Sequence, residues 1–230
     1  MEHSNFLTGI GLYTFGEAGR LIGVRAADLR RWLAGYSRQT AGTARQMPGL
    51  WSTQLEGTDL VGLGFHDLLE VRFVKRFRQA GVSLQTIRIA SAHARELFGS
   101  PYPFTCRRFQ TDGKTIFAEA VRESGETELL DLRKKQFAFD QVIRPSLYAG
   151  IEFDREEKAI RWFPARTKDV VLDPAIAFGK PVVRGANIRT DVLYQAYLAE
   201  EKNKLRIARL YEVPVKAIDA AIRFEERLAA

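Results

Sequence analysis

"YTFGEAGRLIGVRAADLRRWLAGY", residues 13–36, predicts two short helices joined by a tight turn. Thr14 and Glu17 form a capping box, in which each side chain satisfies a backbone N–H at the start of the first helix. Gly23 suits the left-handed conformation that ends many helices. The stretch therefore predicts a helical hairpin near the beginning of the sequence.

The second helix of this hairpin carries an apolar face and a basic face. Leu29 and Leu33 share one side at helical spacing, while Arg30 and Arg31 point away from it and Arg25 lies at its start. A basic second helix after a short turn is the helix-turn-helix arrangement, whose second helix fits the DNA major groove. Spacing alone fits equally well an ordinary helix pair with a solvated arginine face.

Composition predicts a globular protein of two or three units. The chain has 230 residues, of which 46% are hydrophobic and 27% charged, with a net charge of +7. The excess lies at the ends: residues 1–99 carry 12 basic and 8 acidic groups, residues 166–230 carry 12 and 9, and residues 100–165 carry 11 of each. The absence of a signal sequence, of a long apolar run and of any cysteine besides Cys106 predicts a cytoplasmic protein with no membrane span.

The residues after the hairpin alternate between glycine-rich and helical patterns. The segment from Ser37 to Gly64 contains "GLWSTQLEG" (49–57), which predicts a short strand in a hairpin or wing. Helical spacing returns over residues 67–80, and Ser83 is placed to cap a further helix.

Beyond Pro101 and Pro103 the pattern predicts a small β-rich region over residues 100–165. Its strand-like segments are "FTCRRFQ", "TIFAEAV", "ELLDLR" and "IEFDREEKAIRWF", with a hairpin turn at Asp112-Gly113. Residues 166–230 begin with an extended stretch and end in helices, the last of which starts after Pro214. The prediction is a mainly helical α+β fold: an N-terminal winged helix-turn-helix (1–99), the β-rich middle (100–165) and a helical, helix-turn-helix-like C-terminal domain (166–230).

No pattern in the chain predicts catalysis, a metal site or a cofactor. His3, His66 and His93 lie far apart and lack the spacing of metal ligands. "GLGFHD" and "GKPVVRG" are incomplete nucleotide-binding motifs, and Cys106 fits a small buried residue better than a nucleophile. We therefore expect a protein that acts by binding and is not an enzyme.

Residues 12–98 resemble the MerR-like winged helix-turn-helix regulators, because the hairpin, the wing and the two following helices occur in the same order. The resemblance implies that Arg25, Arg30 and Arg31 of the second helix bind DNA, together with Arg38 and Arg45 of the wing. The long helix that joins two MerR protomers is replaced here by the middle region.

The C-terminal stretch, residues 170–228, resembles domain-of-unknown-function family 433. The matching positions are those of an Asp-Pro, a Gly-x-Pro and a later glycine turn: Asp173, Pro174, Gly179, Pro181, Gly185 and Ile188. The usual Thr-Arg after the last glycine is Ala186-Asn187 in this chain.

Together the two resemblances imply a VapB-type antitoxin of a type II toxin–antitoxin pair. Such a protein is expected to form a homodimer, to repress its own operon by binding operator DNA, and to neutralise a PIN-domain ribonuclease. We assign Lys216 as a further DNA contact and Arg184, Arg189, Tyr194 and Tyr197 as toxin contacts, although the tyrosines also fit core positions. Two alternatives stay open: a MerR-like transcription regulator that senses a small effector through its middle region, and a scaffold that binds only protein.

Overall fold

The computed structural model describes residues 9–40, 43–125, 148–165 and 167–229, without the side chains of residues 38–40 and 43–45. These residues form two compact units. Of the described residues, the N-terminal unit comprises 14–40, 43–125, 148–149 and 153–159, and the C-terminal unit comprises 9–13, 150–152, 160–165 and 167–229. Helices and short antiparallel strands make the fold α+β, which confirms the predicted class. The boundaries at residues 99/100 and 165/166 stay predictions.

The N-terminal unit is mostly helical and contains one β-hairpin. Its elements in chain order are α1 Phe15–Ile22, α2 Ala26–Ala34, β1 Tyr36–Thr40, β2 Thr43–Met47, α3 Phe65–Gln79, α4 Leu84–Phe98 and α5 Phe109–Glu123. The Thr14–Glu17 capping box and the left-handed Gly23, with φ 71°, begin and end α1 as the sequence predicts. Ser83 caps α4 by accepting a hydrogen bond from the Thr86 N–H.

The core of this unit contains a cluster of phenylalanines. Phe77 of α3 lies with its ring centroid 5.3 Å from that of Phe104 and 4.3 Å from that of Phe117. Phe109 completes the cluster, 5.0 Å from Phe104. Because α3 and α5 both contribute rings, aromatic packing fixes the position of α5 against α3.

The predicted strand "TIFAEAV" and the predicted turn at Asp112-Gly113 are wrong, because both lie inside helix α5. The buried residues of α5 recur at helical spacing: Phe109, Gly113, Ile116, Phe117, Ala120 and Val121. This spacing buries one helix face, whereas a strand of the same sequence would place Phe117 and Ile116 on opposite sides. "FTCRRFQ" is a turn that leads into this helix, and "ELLDLR" lies outside the described residues.

The predicted strand over "GLWSTQLEG" is also wrong. The hairpin lies upstream, where Tyr36 pairs with Met47 and Thr40 with Thr43, and residues 49–57 form irregular turns. Their alternating apolar residues are buried nevertheless, with Leu50, Trp51 and Leu55 each at most 5% exposed. The alternation of apolar and polar residues over 49–57 therefore reflects a partly buried loop and not a strand.

"IEFDREEKAIRWF" does form strands, β3 Ile151–Phe153 and β4 Ala159–Trp162, which pair in a two-stranded sheet. Between them the Asp154 carboxylate accepts hydrogen bonds from the backbone N–H groups of Glu156 and Lys158, both at 2.9 Å. This side-chain turn closes the hairpin.

The C-terminal unit continues with a second small sheet and three helices. Its elements are β5 Val170–Val171, a 3₁₀ turn Ala177–Gly179, β6 Val182–Val183, α6 Thr190–Ala199, α7 Lys204–Leu210 and α8 Val215–Ala229. β5 and β6 are antiparallel, with Val170 paired to Val183. The helices surround one apolar core that includes Leu193, Ile207, Ile218 and Ile222.

Candidate nucleic-acid interface

The turn between α1 and α2 brings the two helices close together. The Gly19 carbonyl accepts hydrogen bonds from the backbone N–H groups of Gly23, at 2.7 Å, and of Val24, at 2.9 Å. A Cβ atom on Gly19 would lie 2.6 Å from the Val24 carbonyl oxygen. Glycine at position 19 is therefore required by close backbone contact, and the turn sets the angle at which α2 leaves α1.

Helix α3 braces the end of α1. The Lys75 Nζ donates a hydrogen bond of 2.7 Å to the carbonyl of Ile22, one of the terminal carbonyls that the helix itself leaves unpaired. Partial burial of Lys75 lowers the pKa of its amine. The contact ties the hairpin to the unit's core through a side chain 53 residues downstream.

Helix α2 buries its apolar face and exposes its arginines. Leu29 and Leu33 are buried, whereas Arg25, Arg30 and Arg31 are exposed. Arg25 donates to both carboxylate oxygens of Asp28, at 2.8 and 3.2 Å, and this pair raises the pKa of Arg25 and lowers that of Asp28. The structure thus exposes all three predicted arginines, Arg25 at the N-cap of α2 and Arg30 and Arg31 within the helix.

The guanidinium groups of Arg30 and Arg31 stack on aromatic rings. Arg30 lies 5.0 Å from the ring centroid of Phe15, and Arg31 lies 3.9 Å from that of Tyr36. Stacking engages the flat face of a guanidinium and leaves the N–H groups along its edge available for hydrogen bonds. Within the described part of the chain, neither group has an ion-pair or hydrogen-bonding partner. Both side chains are therefore preorganised donors.

Hairpin β1–β2 follows α2 directly, in the position of a wing. Arg38 and Arg45 are Cα partners in its ladder, so the two predicted wing residues sit opposite each other. Their side chains lie outside the described residues, and their role stays a prediction.

A buried carboxylate that the sequence analysis did not identify holds the loop beneath α2. Asp67 accepts hydrogen bonds from Trp51 Nε1 and from the backbone N–H groups of Gln54 and Gly64, each at 2.9 Å. Burial raises the pKa of this carboxyl to about 6 in spite of the three donors. The local signal was an acidic residue at the third position of α3, but its partners in the loop could not be read from the sequence.

The predicted residues of the C-terminal unit lie in three different environments. Lys216, at the start of α8, and Arg184 are exposed and line one cavity of about 450 Å³. Tyr194 and Tyr197 are half-buried on α6, with ring centroids 6.4 Å apart, and pack against the helical core. Arg189 pairs with Asp191 at 2.9 Å.

Two basic residues of α7 form ion pairs within the unit. Lys204 Nζ lies 2.7 Å from the Asp219 carboxylate of α8, and Arg206 Nε lies 2.9 Å from that of Glu200. These pairs join neighbouring helices of the unit and reduce the charge that α7 offers to a partner.

Two further kinds of site are absent from the part of the chain that the structure describes. It contains no group of three or more His, Cys, Asp and Glu side chains arranged to hold a metal ion. Each of its helices is too short or too polar to serve as a membrane span.

The braced helix pair, its exposed arginines and the adjoining hairpin define a helix-turn-helix domain. Residues 11–91 match the family model described as "Putative DNA-binding HTH domain", and residues 170–224 match "Protein of unknown function (DUF433)". The second match is to the family whose resemblance the sequence showed, and the first confirms a helix-turn-helix domain, while the MerR-like assignment stays a prediction.

A curated relative confirms the predicted resemblance to VapB-type antitoxins. The chain is 29% identical over 197 residues to "Putative antitoxin VapB45" of Mycobacterium tuberculosis. The aligned region covers 80% of this chain and 82% of the relative. The fold is shared with the X-ray crystal structure of Rv2018 from Mycobacterium tuberculosis, at a TM-score of 0.63 and 22% identity. That match covers 94% of this chain and 99% of the other.

Proposed function

We propose that this protein is a DNA-binding antitoxin that represses its own operon and acts without catalysis. The observation that carries the proposal is the set of exposed arginines at α2, the second helix of a helix-turn-helix pair. The similarity to an antitoxin over most of both chains supports the toxin-neutralising part.

The DNA contact is proposed for Arg25, Arg30 and Arg31, with Arg38 and Arg45 on the wing. A guanidinium donates two parallel hydrogen bonds to a guanine edge or to a phosphate, so Arg30 and Arg31 fit either role. Arg25 shares its donors with Asp28 and fits a phosphate contact at the start of the helix. Arg30 and Arg31 are held by stacking, which lowers the entropy lost when they bind. A homodimer would place two such helices on a repeated half-site.

The toxin contact is proposed for the C-terminal unit, around Arg189 at the start of α6 and Tyr194 and Tyr197 within it. The complex is proposed to form in the cytoplasm. The partner is a PIN-domain ribonuclease, whose active site carries clustered carboxylates. A basic chain, +7 overall, is electrostatically suited to cover such a site. Partly buried tyrosines next to a charged rim are typical of protein interfaces.

Co-expression with the adjacent reading frame tests the antitoxin proposal. The protein and a neighbouring small nuclease should co-purify as a complex, and ribonuclease activity should appear only when this chain is removed. Failure to form a complex with any neighbouring product would contradict the proposal.

A gel-shift titration tests the DNA-binding proposal separately. The full chain should bind a duplex that covers the region upstream of its own coding sequence more tightly than a random duplex of the same length, by about 10³-fold or more. Equal affinity for the two duplexes would exclude operator recognition.

For the second candidate, a MerR-like regulator with a small effector, the relevant observation is a cavity lined by residues between 15 and 95, outside the middle region (100–165) that the sequence predicts to sense the effector. The cavity has a volume of about 690 Å³, within the range of ligand sites, and Trp51, Leu55, Arg88 and Arg95 are among its lining residues. Arg88 and Arg95 donate to the carbonyls of Pro48 and Leu50, at 3.0 and 2.9 Å. A DNA affinity that changes with cellular metabolites and not with a partner nuclease would favour this candidate.

A further inference from the structure

The turn that joins α7 to α8 repeats the turn that joins α1 to α2. In the first turn the Val24 N–H donates to the Gly19 carbonyl at 2.9 Å, and in the second the Val213 N–H donates to the Ala208 carbonyl at the same distance. Both bonds link residues five positions apart. Each second helix then begins two residues after its valine, at Ala26 and at Val215.

The residues around the two turns correspond as well. Gly23 and Glu212, which precede the valines, both have left-handed backbones, with φ 71° and 53°. Five and nine residues beyond the valines, both second helices place buried apolar side chains: Leu29 and Leu33 in α2, and Ile218 and Ile222 in α8. The C-terminal unit therefore contains a second helix-turn-helix with the same apolar seam.

The turn alone does not identify a DNA-binding helix, because α3 and α4 are joined in the same way. There the Val82 N–H donates to the Phe77 carbonyl at 3.0 Å, and Gly81 is left-handed. The arginines of α4 differ, since Arg88 and Arg95 both donate to backbone carbonyls of the unit's own loop. Exposed cations on the second helix are thus the feature that distinguishes α2 and α8 from α4.

Helix α8 presents a row of such cations. Lys216, Arg223 and Arg227 are exposed and are spaced seven and four residues apart, which places them on one helix face. Arg223 lies 3.3 Å from the Asp169 carboxylate in an exposed pair. Within the described residues, Lys216 has no hydrogen-bond or ion-pair partner.

The cavity at the start of α8 concentrates more positive charge. Lys216 and Arg223 line it together with Lys168 and Arg184, against the carboxylates of Asp169 and Glu212. Two of these cations contact one aromatic ring: the Lys168 Nζ lies 5.4 Å and the Arg184 guanidinium 5.5 Å from the ring centroid of Phe163. The positive end of the α8 dipole adds to this field.

We infer that α8 is a second DNA-binding helix, and that the cavity beside it receives a phosphate of the duplex backbone. The inference rests on the proposed DNA-binding function and extends it to the C-terminal unit. It reassigns Arg184, which the sequence analysis placed in a toxin contact, to the DNA-binding surface. The occupant is duplex DNA for two reasons. The row of cations on α8 is complementary to a polyanion, and α8 is the second helix of its motif, as α2 is of the first.

The test compares two double variants of the full chain by salt titration of DNA binding. Lys216→Ala/Arg223→Ala removes two cavity cations, and Arg107→Ala/Arg122→Ala removes two exposed arginines elsewhere as a charge-matched control. The probes are the upstream duplex and a random duplex of the same length. Loss of two phosphate contacts should reduce the slope of log K against log salt by about 2 and weaken binding at least tenfold, with the control near wild type.

An unchanged slope and affinity in Lys216→Ala/Arg223→Ala would overturn the inference. So would normal DNA binding combined with weaker co-purification of a nuclease, which would make the cavity a protein-binding surface. The corresponding Arg30→Ala/Arg31→Ala variant separates the two claims: if it binds normally while the α8 variant does not, the proposed role of α2 fails and the inference stands. Thermal unfolding checks that both α8 substitutions leave the unit folded, since they remove only an exposed ion pair.

Discussion

At the scale of single residues, two buried carboxyl groups on α3 differ in how their oxygens are satisfied. Asp67 accepts three N–H donors, whereas Glu70 accepts one from Thr105 N–H at 2.8 Å and its Oε2 has no partner among the described residues. Burial raises the pKa of Glu70 to about 8. Asp67 therefore holds a loop in place, and Glu70 is a neutral acid near pH 7.

Asp67→Asn should destabilise the N-terminal unit. The amide replaces one carboxylate oxygen by a donor, so at least one of the three N–H groups loses its acceptor inside the protein. We expect a loss of about 2 kcal/mol in the free energy of unfolding at pH 7, measured by urea denaturation. The exposed Asp59→Asn is the control and should stay within about 0.5 kcal/mol of wild type. Equal stability of the two variants would contradict the role of Asp67.

Glu70 should make stability fall as the pH rises toward 8. Because its pKa is about 8 in the folded state and near 4.5 in the unfolded chain, the folded state binds the proton more tightly between these values. Asp67 has a pKa of about 6, and burial lowers the pKa of His66 to about 4. Titration of these two groups therefore changes the free energy of unfolding mainly below about pH 6.5. Between pH 6.5 and 8 the free energy of unfolding should fall by roughly 1 kcal/mol per pH unit, less than the limiting value of about 1.4 because Glu70 itself ionises as the pH nears 8.

Urea unfolding across this pH window measures the effect. Glu70→Gln should flatten the profile, since the amide cannot ionise, while the exposed Glu119→Gln should keep the wild-type slope. A wild-type profile that is flat from pH 6.5 to 8 would show that Glu70 is not a neutral acid in the folded state.

At the scale of elements, local sequence signals were sufficient to predict the helix pair α1–α2. They were insufficient to predict helix α5 and the loop at 49–57. Thr14, Glu17 and Gly23 act within a few residues of one another, so α1 could be predicted closely. Helix α5 was missed because "TIFAEAV" alternates over a short window, and the spacing from Phe109 to Val121 shows only over the full helix. The loop at 49–57 was misread because its burial depends on Asp67 and α4, which are remote in sequence.

The close approach of α1 and α2 makes Gly19 sensitive to substitution. Gly19→Ala would place a Cβ 2.6 Å from the Val24 carbonyl oxygen and force the turn open. We expect a loss of about 1–3 kcal/mol in the free energy of unfolding and weaker DNA binding, because α2 would change its angle. Gly16→Ala in the same helix is the matched control.

The Cβ of Gly16→Ala would meet only the Thr14 Oγ1, at 3.9 Å. That substitution should leave stability unchanged or raise it by about 0.5–1 kcal/mol, because alanine favours a helix over glycine. If both variants unfolded at the same urea concentration, the tight turn would not be what positions α2.

At the scale of the whole molecule, positive charge is concentrated in the segments that carry the two helix-turn-helix motifs. Residues 1–99 and 166–230 hold the excess of basic groups, and the segment between them is neutral. The sequence alone indicated this distribution but not its arrangement, since it could not show which arginines pair with carboxylates. The structure separates exposed, preorganised groups such as Arg30 from paired ones such as Arg206.

The salt dependence of DNA binding by Arg30→Ala/Arg31→Ala tests the role of α2 most directly. Fluorescence anisotropy on the upstream duplex, from low to physiological salt, gives the slope of log K against log salt for this variant, for wild type and for Arg107→Ala/Arg122→Ala. We expect a slope smaller by about 2 and a weaker affinity for the α2 variant alone. A slope and affinity equal to those of wild type would contradict DNA binding by α2.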